Sequence, residues 1–509
     1  MKRVLSLLAG CIVTLVIAIP IAAYFVLFAR LDSGDPKMLA VGEVVAPRGA
    51  ASGIAFYLSG AGGYSLWDGI AARRLAAEGN IVVGIDTPKT LEKGAGAAKD
   101  CVYFVSDIEQ VSHDLQRTLA SSQYYSPVIA GAGLGGTFAL ALAAQTPDAT
   151  ILRTIAVDPL RVLPIGKALC SAAPFEKAAD GKGMIYGLQP GVLADPIDVY
   201  ATTAADSDGL AHVDALRAAG FDIGRHDTQQ AAATALRLAI ARATDSVKTG
   251  DDAFAKLPLT ILATEAKYDT MAIIFSGDGG WRDIDAQIGG ALKAAGVPVI
   301  GVDSLRYFWN EVQPGEAAVD VNALITAYRT KWHVSKVALI GYSFGADALP
   351  AIYDALPVTS KPSVSLLSLL GYSGARQFEI QVADFIPLAS TKSVSTTLSD
   401  LRKAPASIVQ CVYGRDDKES LCGKIGLSAA ELVQRPGGHH FDNHYAPIAA
   451  AILKRLIPAA PDSSSWPRND FVQIRGDEGH ADGRLVPEFS AEAGRKRPVA
   501  GDAKPATAG

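Results

Sequence analysis

The sequence predicts an α/β protein made of two consecutive units, each a mostly parallel, doubly wound sheet wrapped by helices. Three observations carry that prediction. Short β-branched runs alternate with amphipathic stretches of helical length, a pattern that needs parallel strands joined by crossover helices. The pattern is written twice: Ile54-Ala55-Phe56-Tyr57-Leu58-Ser59-Gly60-Ala61-Gly62-Gly63-Tyr64 matches Ala272-Ile273-Ile274-Phe275-Ser276-Gly277-Asp278-Gly279-Gly280-Trp281, and such self-similarity indicates architecture before function. Each copy then passes through a second apolar strand, Ile81 to Thr87 or Val297 to Ser304, and on to a glycine-rich strand-to-helix turn.

In chain order, Met1-Lys2-Arg3 precedes an uncharged, mostly apolar run from Val4 to Ala29, long enough for a bilayer at roughly 20 residues per span. We read residues 1–30 as an N-terminal transmembrane anchor with Lys2 and Arg3 inside and the remainder exported. A cleaved signal peptide is the alternative, and Leu8-Ala9-Gly10-Cys11 also resembles a lipoprotein site; all three export the bulk of the chain. The first unit is expected over 31–255 and the second over 256–458, divided where Asp251-Asp252 precedes the strand-like run Leu257 to Leu262. From Pro458 the composition turns to Pro, Ala, Ser, Gly and scattered charge, which predicts a disordered tail over 459–509.

Composition narrows the function classes. A chain of 509 residues, 49% of them hydrophobic, is too long for one ordinary core. Its formal charge of -5 and the lack of a basic stripe argue against nucleic acid. Four cysteines follow the anchor, and in an oxidising compartment they suit two disulfides, Cys411 with Cys422 and Cys101 with Cys170, free thiols being the alternative. The sequence has no C-x-x-C or histidine-rich spacing, so neither metal nor cofactor is expected.

The second strand-to-helix turn, Gly341-Tyr342-Ser343-Phe344-Gly345, is a G-x-S-x-G nucleophile elbow with a strand before and a helix after it. In the first copy, Gly131-Ala132-Gly133-Leu134-Gly135, glycine takes the serine's place. The chain is therefore read as two tandem α/β-hydrolase-like units of which only the second is catalytic. An elbow serine needs a base and an acid in the order Ser, Asp or Glu, His. The strand Ser407 to Tyr413 leads into Gly414-Arg415-Asp416-Asp417, where Asp417 fits the glycine-x-x-acid spacing better than Asp416. Gly437-Gly438-His439-His440 supplies the base, His439 ahead of His440 because a glycine precedes it.

Oxyanion donors are expected from the Phe344 N–H and from the loop Ser276 to Trp281, Asp278 first and Gly279 second. The plain alternative for that loop is a turn before a helix capped near Asp283. Likewise the Asp416-Asp417 pair alone would be a solvated turn and the paired histidines a loop; their order along the chain gives them weight. Asp278, Trp281 and Asp347 are expected beside the substrate, the two acids suiting an ammonium group, although Asp347 is as easily a structural acid. In the first unit His226 falls where His439 falls in the second and, lacking a nucleophile, reads as a surface or cap residue; the unit is read as binding or packing.

The segments Ile274 to Trp281, Gly341 to Asp347 and Pro436 to Asp442 resemble the AcvB/VirJ family of bacterial virulence proteins, and the anchored two-unit layout resembles its longer form. That resemblance implies a periplasmic enzyme, held at the inner membrane, that hydrolyses lysyl-phosphatidylglycerol to phosphatidylglycerol and lysine. It also implies links to type IV secretion, and it places the elbow nucleophile at Ser343. A general periplasmic carboxylesterase, an alanyl-lipid hydrolase and a non-catalytic secretion accessory protein are the competing readings.

Overall fold

A computed structural model describes residues 38–147, 150–191, 193–245, 254, 256–375, 377–380 and 396–457. The first unit carries strands β1 (Val41–Val45), β2 (Gly53–Leu58), β3 (Asn80–Ile85), β4 (Val128–Ala132), β5 (Arg153–Val157), β6 (Phe175–Lys177), β7 (Met184–Tyr186), β8 (Ile197–Ala201) and β9 (Ile223–Asp227). The second carries β10 (Leu259–Leu262), β11 (Thr270–Phe275), β12 (Val299–Val302), β13 (Lys336–Tyr342), β14 (Val364–Leu370), β15 (Val409–Gly414) and β16 (Glu431–Arg435). The runs that read as continuous apolar strands are buried along their whole length in β2, β3, β11 and β12, because crossover helices cover both faces of a parallel sheet.

The internal repeat is a repeat of topology. The first sheet runs β1-β3-β2-β4-β5-β8-β9 and the second β10-β12-β11-β13-β14-β15-β16, position for position the same order. In each, the edge strand is antiparallel to its neighbour and the main strands that follow are parallel. Among the described residues the small hairpin β6-β7 stands outside the main sheet of the first unit, its two strands paired antiparallel.

Both sheets lie in one compact unit. The described residues join them through aromatic packing: Trp309, 1% exposed, sits with its ring 5.2 Å from Tyr124 and donates its indole N–H to the Ser121 carbonyl at 3.1 Å. Among the described residues no helix is long and apolar enough to cross a membrane. The anchor at 1–30, the division near residue 255 and the tail at 459–509 lie outside the described residues.

Both cysteine pairs are bridged, Cys101 to Cys170 and Cys411 to Cys422. They close loops of very different length, with sequence separations of 69 and 11, so chain-entropy reasoning assigns about 4 kcal/mol to the first and about 3 to the second. Replacing Cys101 and Cys170 by alanine is therefore expected to lower the denaturation midpoint more than replacing Cys411 and Cys422. Urea titrations of the two double variants check this; the reverse order would contradict it.

Candidate active site

The site is built at the carboxyl ends of β13, β14, β15 and β16, where the crossover loops of a parallel sheet converge. Its centre is set by close packing of a strand on a helix. A Cβ on Gly341 would come within 2.5 Å of the Gly345 backbone, and one on Gly345 within 2.4 Å of the Phe275 carbonyl oxygen. With glycine at both places, β13 turns directly into the helix Phe344–Ala355, and Ser343 is left at φ 50, ψ -115. This is a conformation that L residues other than glycine seldom adopt. Gly133 repeats it at φ 56, ψ -121, with equivalent glycine contacts around Gly131 and Gly135. The first unit thus keeps the elbow's backbone and lacks only its hydroxyl.

Ser343 Oγ lies 2.9 Å from His439 Nε2, and His439 Nδ1 lies 3.0 Å from Asp417 Oδ2. Two loops have to be held together to bring this about. Arg415 N–H donates to the Arg435 carbonyl at 2.8 Å, and Asp416 N–H donates to that of Gly437 at 2.9 Å, locking the acid loop to the histidine loop. A Cβ on Gly371 would come 2.9 Å from His439 Cε1, so this glycine after β14 clears room for the imidazole. The Asp417 side chain is 4% exposed and the His439 side chain 32%, which leaves the acid shielded and the base open to substrate.

The structure sorts the paired candidates. Asp416 points into solvent, 60% exposed and paired with Arg415 at 3.3 Å. His440 Nδ1 lies 2.7 Å from Tyr342 Oη, while His439 takes the contact with Ser343. The loop Ser276 to Trp281 passes beside the nucleophile, since a Cβ on Gly277 would stand 3.7 Å from Ser343 Cβ. Gly280 N–H donates to the Gly277 carbonyl at 3.2 Å, which closes the loop into a turn around Asp278 and Gly279, the expected donors. Phe344 N–H opens a helix, where the first amides have no intrahelical acceptor.

Two expected substrate contacts are corrected. Trp281 is 5% exposed and its indole fills a slot over Gly301 and Gly289, whose added Cβ atoms would meet it at 2.4 and 3.2 Å; the bare glycine surface makes it a core residue. Asp347, 7% exposed, accepts the N–H groups of Ser373 at 2.9 Å and Gly374 at 2.7 Å and the Ser373 hydroxyl. It holds the loop after β14 instead of facing a ligand. His226 is corrected too: it lies within β9, opposite Tyr200, the place that Val433 takes opposite Val412, and it stands 2.9 Å from Asp198.

Several site residues had no sequence signal. Asp285, 3% exposed beneath the glycine loop, is pushed well above the usual carboxylate range by burial. Tyr342 hides within the elbow motif as a generic x, yet its ring carries His440. Gly371 was legible only as a glycine after a strand.

The fold and the Ser343–His439–Asp417 geometry define a serine hydrolase of the α/β-hydrolase class. Residues 269–459 match the family model described as bacterial virulence protein (VirJ). No curated protein matches the chain. Solved structures similar to it include Est1E from Butyrivibrio proteoclasticus with ferulic acid bound, at 13% identity, 38% of this chain, 91% of that one and TM-score 0.28. A proline iminopeptidase of Mycobacterium smegmatis is similar at 11% identity, 39% and 93% coverage and TM-score 0.29. The fluorophosphonate-binding serine hydrolase F of Staphylococcus aureus is similar at 16% identity, 38% and 86% coverage and TM-score 0.28.

Burial raises the Asp347 carboxyl from 3.8 to about 6. A raised folded value means that the protonated form is favoured by folding, so the stabilisation is complete below about pH 4 and is lost as pH rises through about 6. The difference in unfolding free energy between wild type and Asp347→Asn is expected to shrink by about 3 kcal/mol from pH 4 to pH 7.5. Denaturant titrations across that range measure it, and a pH-independent difference would remove Asp347 as the titrating group.

Proposed function

We propose that the chain is an exported serine esterase that cleaves the aminoacyl ester of lysyl-phosphatidylglycerol at the periplasmic face of the inner membrane. The observation that carries the chemistry is the continuous hydrogen-bonded line from Ser343 through His439 to Asp417. The VirJ segment at 269–459, together with the resemblance of its three motifs, supports the choice of lipid. Two disulfides support an oxidising compartment, and the apolar run from Val4 to Ala29 supports a tether to the membrane that holds the substrate.

In the proposed cycle Ser343 Oγ attacks the lysyl carbonyl while its proton passes to His439 Nε2. Asp417 holds Nδ1–H and stabilises the imidazolium. The tetrahedral oxyanion is received by the N–H of Phe344 and that of Asp278 or Gly279. Collapse breaks the ester bond, and phosphatidylglycerol leaves with the proton returned by His439. Water, deprotonated by the same histidine, then releases lysine from Ser343. With Asp347 engaged by its own loop, the half-buried Asp278 beside the elbow is the acid that supports a cationic acyl group.

The test uses full-length protein with vesicles of lysyl-phosphatidylglycerol, alanyl-phosphatidylglycerol or phosphatidylglycerol alone. Wild type is expected to release lysine, Ser343→Ala to lose about 10⁶ in kcat and Asp417→Asn about 10⁴. Equal turnover by Ser343→Ala would remove the serine from the mechanism. Turnover of simple soluble esters without release of lysine would return the reading to a general carboxylesterase.

A further inference from the structure

We propose that the first unit, which lacks a nucleophile, sets the oxyanion loop of the second through Glu109 and Arg282. The proposal rests on the serine-hydrolase reading and names Glu109 as a positioning residue for it.

The two copies differ informatively just after their glycine loops. In the first, Ser65 caps the helix Leu66–Ala77 in a reciprocal capping box with Asp68. In the second, Arg282 stands at the same place before the helix Asp283–Ala294 and provides no side-chain cap. Arginine is a poor choice there, because it offers no acceptor and adds positive charge to the positive end of a helix. The next residue, Asp283, is strained as well, at φ 45. Two local rules are broken side by side, as happens where function outweighs local preference.

The arginine instead reaches across to the first unit. Arg282 Nη1 donates to the Glu109 carboxylate and lies 3.4 Å from Thr150 Oγ1. The rest of the guanidinium lies against the glycine loop, where a Cβ on Gly279 would stand 2.6 Å from Nη2 and 3.0 Å from Nε. Asp285, 3% exposed in the helix that follows, interacts electrostatically with the Gly277 N–H at the start of the same loop. The loop that carries the donor candidates Asp278 and Gly279 is therefore braced by the guanidinium at Gly279.

Glu109 is itself fixed by the packing of the two units. It shares one face of the helix Val105–Thr118 with His113 and Arg117, at successive spacings of four. The Arg117 guanidinium lies 3.7 Å over the Trp309 ring and donates to the Ile380 carbonyl, while the His113 ring stands 6.4 Å from that of Trp309. An oxyanion hole works because its donors are oriented before charge develops, and a loop rich in glycine has many other conformations open to it. The line from Glu109 through Arg282 to Gly279 removes that freedom, and it makes the second unit's catalysis depend on the first.

The experiment compares full-length wild type, Glu109→Gln, Glu109→Asp and Arg282→Lys in hydrolysis of a soluble ester and in inhibition by an alkylboronic acid that forms a tetrahedral adduct on Ser343. Glu109→Gln is expected to lower kcat by about tenfold or more, short of the full loss of a donor, with KM changed less than about twofold. The boronate inhibition constant should rise by the factor by which kcat/KM falls, and Glu109→Asp should recover most of the loss. Arg282→Lys keeps the charge but not the fork; it should follow the same line and serves as the second variant if Glu109→Gln does not fold. A merely structural role would lower the folded fraction and leave boronate affinity per folded molecule unchanged. Folded Glu109→Gln and Arg282→Lys with wild-type kcat and boronate affinity would overturn the inference alone, whereas wild type inert toward esters would overturn the hydrolase reading together with it.

Discussion

The contact between a bare strand and a bare helix at Gly341 and Gly345 is the constraint on which the rest of the site depends. The two backbones approach so closely that a methyl group at either glycine would overlap a carbonyl or peptide carbon. That approach leaves no room for a gradual turn, so the residue between them is held at positive φ and its side chain is displayed above the sheet. Ser343 N–H is satisfied by the Leu370 carbonyl of β14 at 2.9 Å, which ties the strained residue into the sheet's own hydrogen bonding. Strain of this kind persists only where its surroundings over-determine it, and here the strand before, the helix after and the neighbouring strand all do.

From that point the other two members follow from strand order. β14 lies parallel beside β13, and β15 parallel beside β14, so the loops leaving them arrive on the nucleophile's side of the sheet. The hydrogen bonds between the loops after β15 and β16 then bring His439 and Asp417 into one line with the serine. The Cys411–Cys422 bridge spans the acid loop at its base, restraining the segment that presents Asp417.

The retained elbow of the first unit shows that its backbone serves packing independently of chemistry. Gly133 has nearly the φ and ψ of Ser343 and donates to Val157 as Ser343 donates to Leu370, so the turn keeps its backbone and its strand–helix contact without the hydroxyl. What the first unit adds lies elsewhere, along the helix Val105–Thr118 and its contacts with Trp309, Glu379 and Arg282. Two similar sheets have taken unlike tasks, one presenting the reacting groups and one bracing the loop beside them.

The sequence by itself determined the repeated succession of strands and helices, the elbow at Ser343 and the acid-then-histidine succession, because these are written in local periodicity, in glycine spacing and in the order of motifs along one chain. Only tertiary structure decided which of each pair is used: Asp417 and His439 line up with Ser343, whereas Asp416 pairs with Arg415 and His440 with Tyr342. It also moved Trp281 and Asp347 out of the expected substrate contacts, since a slot above two glycines and a ring of backbone N–H donors exist only once distant segments meet. The Glu109–Arg282 pair was illegible for the same reason. Its partners are 173 residues apart, and nothing in the local chemistry of either announces the other; the distance is closed by the packing of one sheet unit on its twin.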